Sequence, residues 1–584
     1  MLVYGDAPRR EDPRRKLAEL ANALRELASL PPGICRHSAL AAALIEAGEL
    51  AQGIADADFA ERGVDDLAPA PEAAMALLVR IAEALCLSWN TGFTQLGAWP
   101  EAEWAALATT PLPGSIRTKR AEGFAYYALY PEVYAMAAAS LPSGVPLRVI
   151  GLRSIGVTLA AMVAARLGGA PPRSLRPVGH PFRRKLAVSD ALAADLLAGP
   201  EAHFAVVDEG PGLSGSSFGA VIEFLEGRGV PLSRIHLLPG HGDEPGSQAS
   251  PELRARWAQA QRHSASFEDL LLHAVRPEHR LESWAADLLG APDRPLEDIS
   301  GGAWRRLRSA EVPWPPIHPF MERRKFLFHR GGTAWLLKFA GLGHRGEKQA
   351  EHARLLHAAG FTPEVAGFRH GFLIERWMEE ARPLDPARYD RSRLIAHLGR
   401  YLAFRARSLP AGPEGGASAE ALWEMARHNT AQALGQELAA RMDRWKPSLP
   451  SFDAQIRWVW TDNRLHAWEW LVLPDGRLLK TDAVDHAAAH DLIGCQDIAW
   501  DVAGAVVELG LSSAEQDRLG HIIGQESGRA VDPELLAFLT PCYLAFQLGY
   551  HAMAADASGG EEVARAGDAA ARYAEALKAA LLAG

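Results

Sequence analysis

Two adjacent carboxylates in the first half of the chain follow an apolar run and precede a loop of small residues. Asp208 and Glu209 come directly after Phe204 to Val207, a run typical of a buried parallel strand. The loop contains glycine, proline and serine, and helical spacing begins at Phe218. A strand, a small-residue loop and a helix N-terminus favour an anion site, because backbone N–H groups and the helix dipole converge there. Together with two acids that can hold ribose hydroxyls, the pattern predicts a site for a phosphorylated sugar.

The segment Ala205 to Phe218, AVVDEGPGLSGSSF, resembles the ribose-phosphate motif of type I phosphoribosyltransferases. The resemblance implies that Asp208 and Glu209 are the catalytic acids on the ribose and that the loop binds the 5-phosphate of phosphoribosyl pyrophosphate. The loop departs from the family pattern, since it is slightly longer and has serine where threonine is common. An ordinary strand–turn–helix unit with the acids as helix caps is the alternative. The loop residues to which the resemblance assigns phosphate binding are Gly212, Leu213, Ser214, Gly215, Ser216 and Ser217.

A second anion site is predicted upstream, where a short strand at Leu147 to Ile150 leads through a turn with one cation into a helix. The resemblance implies that Arg153, Ser154 and Gly156 bind pyrophosphate. A strand–helix unit with a surface arginine is the alternative. Because ligands in open parallel sheets bind at the carboxyl ends of strands, both motifs are expected to form one composite site.

A cationic stretch, residues 176–186, lies between these two motifs and contains Arg183 and Arg184. The family often has a mobile loop at this place that closes over pyrophosphate, which implies that both arginines bind substrate. A cluster of cations suits a polyanion. A solvated charged face explains the same residues equally well.

A lysine and a later aspartate mark a different chemistry in the C-terminal half. Lys338 ends the second strand of a predicted hairpin, KFLFHR and TAWLLKF around Gly331-Gly332, and Asp482 ends a strand after a Pro-Asp-Gly turn. This order resembles the aminoglycoside phosphotransferase-like branch of the protein-kinase fold. The resemblance implies a Lys338 that binds nucleotide phosphates, Asp482 as an Mg²⁺ ligand, and ATP or another nucleoside triphosphate as cosubstrate.

The same resemblance assigns three further residues to the nucleotide. Glu351 on the next helix is the implied partner of Lys338, with Glu347 as second choice. Glu375 and Trp377, at the end of a later strand, are implied to lie near adenine.

The predicted catalytic loop, residues 462–469, departs from the family. The alignment of its Leu-His pair places Glu469 where a metal-binding asparagine belongs, and a carboxylate oxygen can ligate Mg²⁺. Arg464 stands where the catalytic aspartate belongs, and its fixed charge prevents it from acting as a base. Three alternatives stay open: Asp462 takes the base role from a shifted position, the transfer is unusual, or this half binds nucleotide without catalysis.

Composition restricts the class of protein. The 584 residues predict three or four domains, and 48% hydrophobic content indicates a globular chain. A net charge of −10 argues against bulk binding of nucleic acid or anionic membranes, and no apolar run is long enough to span a bilayer. Four scattered cysteines lack paired metal spacing and fit a reducing cytoplasm.

These patterns predict a multidomain α/β and α+β protein. A helical N-terminal region is expected over residues 1–120, a phosphoribosyltransferase-like parallel sheet over 121–290, a linker over 291–320 and a kinase-like domain over 321–584. The N-terminal helices are interpreted as a cap or as a surface for homo-oligomerisation.

The function that the two resemblances imply is a bifunctional small-molecule enzyme. A Mg²⁺-dependent phosphoribosyltransferase would be coupled to an ATP-dependent kinase-like half. The first alternative is a single-activity transferase, hydrolase or lyase of phosphoribosyl compounds whose other half is a regulatory nucleotide-binding pseudokinase. The second is a sensor of phosphoribosyl pyrophosphate. Small-molecule partners are expected, without nucleic acid or membrane.

Overall fold

The computed structural model describes residues 1–5, 8–199, 201–308, 313–412 and 415–583. None of the helices in these ranges is long and apolar enough to cross a bilayer. The helices are α1 (Pro13–Leu27), α2 (Ile34–Arg62), α3 (Pro69–Asn90), α4 (Glu101–Thr109), α5 (Glu122–Tyr126), α6 (Pro131–Ala138), α7 (Gly156–Leu167), α8 (Asp190–Leu196), α9 (Ser216–Glu226), α10 (Pro251–Gln259), α11 (Leu281–Leu289), α12 (Gly343–Ala358), α13 (Arg391–Ser408), α14 (Ala419–Leu434), α15 (Gln436–Ala440), α16 (Leu449–Gln455), α17 (Ile498–Glu508), α18 (Ser513–Ser527), α19 (Pro533–Ala557) and α20 (Glu561–Ala583).

The strands form two five-stranded sheets, one three-stranded sheet and two isolated pairs among the described residues. They are β1 (Arg9–Glu11), β2 (Ile116–Thr118), β3 (Leu147–Leu152), β4 (Arg173–Leu175), β5 (Pro177–His180), β6 (Arg183–Leu186), β7 (His203–Val207), β8 (Ile235–Leu238), β9 (Gln261–Arg262), β10 (Glu297–Asp298), β11 (Lys325–Arg330), β12 (Thr333–Phe339), β13 (Val365–Arg369), β14 (Phe372–Arg376), β15 (Arg382–Pro383), β16 (Trp470–Val472) and β17 (Leu478–Lys480).

The first large sheet is parallel throughout and has the strand order β4-β3-β7-β8-β9. Both of its faces are covered, which explains the unbroken apolar run of β7. Phe204 and Val206 pack into one core, whereas Ala205 and Val207 pack into another on the opposite face. The chain reverses its winding between β3 and β7, so a crevice is expected where these two strands end.

The cationic stretch between the two predicted anion motifs is a β-hairpin, at the place where the resemblance implied a mobile loop. Strands β5 and β6 pair antiparallel from Pro177 with Leu186 to His180 with Arg183. The chain reverses at Pro181 and Phe182, and Gly179 within β5 has φ +89°, a left-handed conformation that glycine adopts at little cost.

The second large sheet is antiparallel, in the order β10-β11-β12-β14-β13. The predicted hairpin of β11 and β12 is confirmed, with both Gly331 and Gly332 at positive φ as a two-residue turn requires. The segment predicted as a linker contributes β10, which pairs with β11. Helix α12 connects β12 to β13, and the three-stranded sheet β15-β16-β17 lies among the C-terminal helices.

The cores connect regions that are distant in sequence. One cluster contains Leu44 of α2, Leu159 of α7 and Phe326 of β11, so the N-terminal helices, the parallel sheet and the antiparallel sheet share apolar packing. The C-terminal helices form a second cluster that also takes in Val3. The N-terminal helices therefore lie inside the molecule's main core.

Candidate functional site

Lys338 on β12 lies at the centre of a buried group of carboxylates. Its Nζ is 2.6 Å from Asp482 Oδ1, 2.7 Å from Asp485 Oδ2 and 3.9 Å from Glu375 Oε2. The lysine is 1% exposed. Burial opposes its charge, but Asp482 and Asp485 beside it raise the pKa of Lys338 well above its usual range. The structure thus brings together Lys338, Asp482 and Glu375 of the predicted set.

A cavity of about 270 Å³ opens beside this group, and we call it the Asp482 cleft. Leu336, Leu471 and Trp377 supply apolar and aromatic walls, while Glu469 and Asp482 supply negative charge at one end. A slot with an apolar part and a charged part can hold a planar ring and a metal-bound polyanion.

Three side chains at the charged end can hold a divalent cation. One ligand atom from each of Glu469, Asp482 and His486 lies within 4.8 Å of the other two. Two carboxylates are hard oxygen donors, and Nε2 of His486 has no hydrogen-bond partner among the described residues. Asp482 adopts a left-handed backbone conformation, φ +52°, which is strained for this residue and common at functional sites. The two carboxylates are the oxygen donors that the predicted Mg²⁺ takes, whereas the imidazole of His486 is more typical of a transition-metal site.

The carboxyl groups at this end respond differently to burial. Burial raises the pKa of Glu469 to about 7, with Asp482 adding to the shift against the opposing effect of Lys480. Burial also opposes ionisation of Asp482, but Lys338 and Lys325 hold its pKa well below the ordinary value. Asp482 is therefore ionised at neutral pH in the field of two lysines.

The predicted partner of Lys338, Glu351, does not reach it. Glu351 lies on the outer face of α12, where its carboxylate pairs with Lys348 at 2.8 Å and its side chain is 56% exposed. The second choice, Glu347, pairs with His344 at 3.1 Å. The carboxylates that contact Lys338 come instead from β14 and from the segment after β17.

Asp462, the candidate base, is fully buried away from the Asp482 cleft. Its carboxylate accepts a hydrogen bond from Tyr401 and lies 3.3 Å from Lys480 and 3.4 Å from Arg405. Asp501 fixes the adjacent backbone by accepting from Asp462 N at 2.7 Å. The Asp462 side chain is thus fully buried and engaged by these neighbours, and it does not line the Asp482 cleft.

Arg464, at the position of the family's catalytic aspartate, lies over the ring of Tyr550 with 4.0 Å between the guanidinium carbon and the ring centroid. Burial opposes its charge, yet the neighbouring Tyr550 raises its pKa further. Arg464 therefore stays charged at every accessible pH.

The acids of the first motif lie at the carboxyl end of β7. Burial raises the pKa of Asp208 to about 7 and that of Glu209 to about 8. Glu122 and Asp208 add to the shift of Glu209 by charge repulsion, while the backbone N–H of Gly123 donates to its carboxylate. Tyr134 O–H donates to the Asp208 carbonyl at 2.8 Å and fixes this turn. Two carboxyl groups of raised pKa at a strand end suit a polar ligand.

Gly156 places the start of α7 directly against the end of β7. A Cβ at this position would lie 2.6 Å from the carbonyl oxygen of Val207 and 3.5 Å from Asp208 Cα. The structure therefore brings Gly156 next to the Asp208 turn, while Ser154, in the turn after β3, is half-buried.

Arg153, in contrast, is held by helix α2 and the segment after it. Its guanidinium contacts Asp65, lies 3.0 Å from Asp56 and is 2% exposed. Arg176 binds the same two aspartates and donates to the Arg153 carbonyl at 3.0 Å. Arg153 is thus engaged by two aspartates of the protein, whereas the resemblance implied that it binds pyrophosphate.

The loop that was predicted to bind phosphate, residues 212–217, is held by the β5–β6 hairpin. Ser216 Oγ donates to the Pro181 carbonyl at 2.8 Å, and Ser214 Oγ donates to Ser216 Oγ at 3.0 Å. Gly212 and Gly215 have positive φ, so the loop bends tightly before α9. The remaining loop residues Leu213 and Ser217 are exposed and half-buried respectively.

The two arginines of the hairpin stay at its surface. Arg183 is exposed, and Arg184 donates to the Gly179 carbonyl of its own hairpin at 3.0 Å. In the part of the chain that the structure describes, no hydrogen bond or ion pair joins either arginine to Asp208, to Glu209 or to the serines of the loop.

Sequence reasoning missed several residues around the Asp482 cleft. Lys325 lies directly opposite Lys338 in the sheet, and it lines the cleft together with Arg308 from the predicted linker. Two lysines opposite each other repel, and here each has a carboxylate partner: Asp482 lies 2.6 Å from Lys338, and Glu322 lies 3.6 Å from Lys325. The position of Lys325 opposite Lys338 could have been predicted from the sequence, since the Gly-Gly turn fixes the register of the hairpin. Asp485 and His486 belong to no sequence motif that would have indicated them.

No protein-family profile and no curated relative matches the chain. Solved structures align with about half of it at low identity. The choline kinase LicA from Streptococcus pneumoniae shares 17% identity over 43% of this chain and 89% of its own, with a TM-score of 0.30. A choline/ethanolamine kinase family protein from Mesorhizobium loti shares 18% over 52% and 99%, with a TM-score of 0.34. A thermostable mutant of the aminoglycoside phosphotransferase APH(4)-Ia shares 17% over 51% and 98%, with a TM-score of 0.31. A common fold does not follow from scores of this size.

Proposed function

We propose that the C-terminal half is a kinase-like unit that binds Mg²⁺ and a nucleoside triphosphate in the Asp482 cleft. The observation that carries the proposal is the ion pair of Lys338 with Asp482, 2.6 Å long, beside a cavity that has apolar walls. In phosphoryl-transfer sites a buried lysine binds phosphate oxygens, and a carboxylate holds the metal. The register of β11 and β12 adds Lys325 as a second cation.

The walls of the cleft match the two parts of a nucleotide. Trp377, directly after β14, and Leu336 with Leu471 provide an apolar slot for the base. Glu469 and Asp482 would hold the metal ion, which neutralises phosphate charge when bound. Lys325 and Arg308 line the same cavity and would contact phosphate oxygens.

Binding is better supported than transfer to an acceptor. Phosphoryl transfer in this fold class uses a carboxylate to orient the acceptor hydroxyl. The position expected for it holds Arg464, and Asp462 is engaged by Tyr401, Lys480 and Arg405. We therefore favour a nucleotide-binding half without a dedicated base, which corresponds to a regulatory role or to slow transfer by positioning alone.

Isothermal titration of Mg·ATP into the full chain tests the proposal. Lys338→Met and Asp482→Asn are each expected to weaken binding at least about tenfold, since each removes one desolvated charge contact. Lys348→Met is the matched control, because Lys348 is 43% exposed and pairs with Glu351 on the outside of α12. Unchanged binding in both site variants, or no binding by the wild type, would reject the cleft as a nucleotide site.

A second candidate function concerns the parallel sheet, and one observation favours it. The acids Asp208 and Glu209 end β7, Gly156 begins α7 after β3, and the winding reverses between these two strands. This placement supports binding of a phosphorylated ribose by the acids and by the loop from Gly212 to Ser217. The engagement of Arg153 with Asp56 and Asp65 weakens the case for a bound pyrophosphate.

Titration with Mg·phosphoribosyl pyrophosphate and with ribose 5-phosphate separates these possibilities. Binding of both ligands that is lost in Asp208→Asn supports a sugar-phosphate site. Glu201→Gln serves as the control, because the Glu201 side chain is 86% exposed. Failure of both ligands to bind would remove the phosphoribosyl hypothesis and leave the nucleotide proposal untouched.

A further inference from the structure

A buried group of two histidines and one glutamate lies outside both sites, where the N-terminal helices contact the antiparallel sheet. We define the His37 cluster as His37 on α2, Glu132 on α6 and His370 in the turn between β13 and β14. Each of the three residues is at most 2% exposed. His37 Nε2 is 2.9 Å and His370 Nε2 is 3.8 Å from the same oxygen, Glu132 Oε1.

Hydrogen bonding within the protein does not satisfy this cluster. One shared proton would account for the contact of His37 with Glu132. Both ring nitrogens of His370 and the second oxygen of Glu132 are nevertheless buried without a hydrogen-bond partner in the described part of the chain. Leaving buried polar groups unpaired costs about 1–3 kcal/mol each, so a missing partner is indicated.

From this geometry we propose that the His37 cluster binds one divalent transition-metal ion, with Zn²⁺ as the best match. Imidazole nitrogen and carboxylate oxygen are the ligands of three-residue zinc sites that keep a fourth position open. Bonds of about 2.0–2.1 Å place tetrahedral ligand atoms roughly 3.3 Å apart. The observed separations of 2.9 and 3.8 Å bracket that spacing.

Neighbouring groups favour the tautomer and the neutral state of the histidines that metal binding requires. Nδ1 of His37 lies 3.0 Å from Ser88 Oγ, so a proton on Nδ1 has an acceptor and Nε2 keeps a lone pair. Burial lowers the pKa of both His37 and His370 to about 3, which leaves them neutral, as metal ligands must be. The same burial raises the pKa of Glu132, a cost that a bound cation would offset.

The backbone conformation of the β13–β14 turn holds His370 in the cluster. His370 has φ +39°, a left-handed conformation that costs a non-glycine residue free energy. Tyr130 O–H donates to the His370 carbonyl at 2.7 Å and holds the turn against α6. The left-handed φ is required by the two-residue turn His370-Gly371 between β13 and β14, and this turn places the unpaired imidazole inside the protein.

A route for the ion leads from the surface to the cluster. Glu132 lines a cavity of about 480 Å³ that also contains Met136 and Val275, which are 44% and 92% exposed. The open fourth position would face this cavity. A metal here would join α2 and α6 to the β13–β14 turn, which connects the N-terminal helices to the kinase-like sheet.

Titration of chelator-treated full-length protein with Co²⁺, followed by visible absorption, tests the proposal. The Asp482→Asn variant is used as background, because Glu469, Asp482 and His486 form the other metal-competent group found among the described residues. We expect one equivalent of Co²⁺ with d–d bands of nitrogen ligation, displaced by Zn²⁺. Glu132→Gln, which keeps the side-chain shape, should weaken binding at least about tenfold. His273→Gln is the control, since His273 lines the same cavity at an exposed position.

Absence of Co²⁺ binding in the Asp482→Asn background, or equal affinity after Glu132→Gln, would overturn the proposal. If Glu132→Gln does not fold, the proposal is tested instead by the thermal midpoint of the Asp482→Asn protein, measured with and without metal. Zn²⁺ should raise that midpoint and a chelator should lower it, because the ion binds only the folded chain. No change with either reagent would also overturn the proposal.

Discussion

At the scale of single residues, more carboxylates contact Lys338 than its one charge can neutralise, although Lys325 and Arg308 also line the cleft. One lysine faces Asp482, Asp485 and Glu375, and burial raises the pKa of Glu375 to about 7 despite the lysine. A divalent cation near Asp482 would reduce the repulsion among these carboxylates. The imbalance is therefore the residue-level argument for a metal-bound ligand in the Asp482 cleft.

The role of Asp462 is testable by removing its charge. Asp462→Asn keeps the shape but leaves Lys480 and Arg405 without their buried partner. We expect a loss of stability of about 3–5 kcal/mol, seen as a large fall in the thermal midpoint, while Mg·ATP affinity of the folded fraction is kept. Asp475→Asn is the control, as its side chain is 53% exposed. A stable variant that loses only turnover would show that Asp462 is catalytic.

The raised pKa of Asp208, about 7, makes a prediction about pH. A carboxyl group whose pKa is higher in the folded than in the unfolded state stabilises the fold at low pH and loses that contribution as pH rises through the folded pKa. Asp208→Asn should therefore stabilise the protein by about 1–3 kcal/mol more at pH 8 than at pH 5. Denaturant midpoints at both pH values measure this, with exposed Glu201→Gln as control. An equal shift at both pH values would contradict burial of the carboxylate.

At the scale of elements, what could be predicted depended on how local the signal was. The β11–β12 hairpin followed from its Gly-Gly turn, and the strand that ends at Val207 followed from its apolar run. The partner of Lys338 was not predictable, because sheet register decides it. Lys338 pairs with Leu373, which places Glu375 two residues along on the same face, whereas Glu351 points outward from α12.

The same distinction applies to the first site. Gly156 was identified in the sequence as part of a loop, but its contact with Val207 depends on β3 and β7 being neighbours. Arg153 forms ion pairs with Asp56 and Asp65, which lie almost a hundred residues earlier in the chain. No local sequence pattern around Arg153 predicts these contacts.

The close contact between α7 and β7 is testable at Gly156. Gly156→Ala would bring a methyl group to 2.6 Å from the Val207 carbonyl oxygen, which is backbone and cannot move aside cheaply. We expect a lower thermal midpoint and a loss of sugar-phosphate binding, if the wild type shows it. Gly169→Ala is the matched control, since a Cβ there meets no atom within 4 Å. Equal midpoints for the two variants would contradict the packing of these elements.

At the scale of the whole molecule, apolar packing joins the two halves. Phe326 and Phe372 of the antiparallel sheet lie in the same cluster as Leu44 of α2 and Val207 of β7. At its amino end the chain returns to the C-terminal helices, where Leu2 N donates to Asn429 Oδ1 at 2.7 Å. The antiparallel sheet of the C-terminal half thus shares apolar packing with the N-terminal helices and with the parallel sheet.

This continuity predicts that the halves stay together after the connecting chain is cut. A protease site inserted at Pro295, in an exposed loop before β10, allows cleavage of the folded protein. Because separation would expose the buried faces of β11 and β14, we expect the two pieces to co-elute on size exclusion at unchanged volume. Dissociation should need denaturant and should be followed by aggregation. Elution as two folded, soluble pieces would show instead that the halves are independent units, and coupling between the Asp482 cleft and the Asp208 turn would then have no structural path.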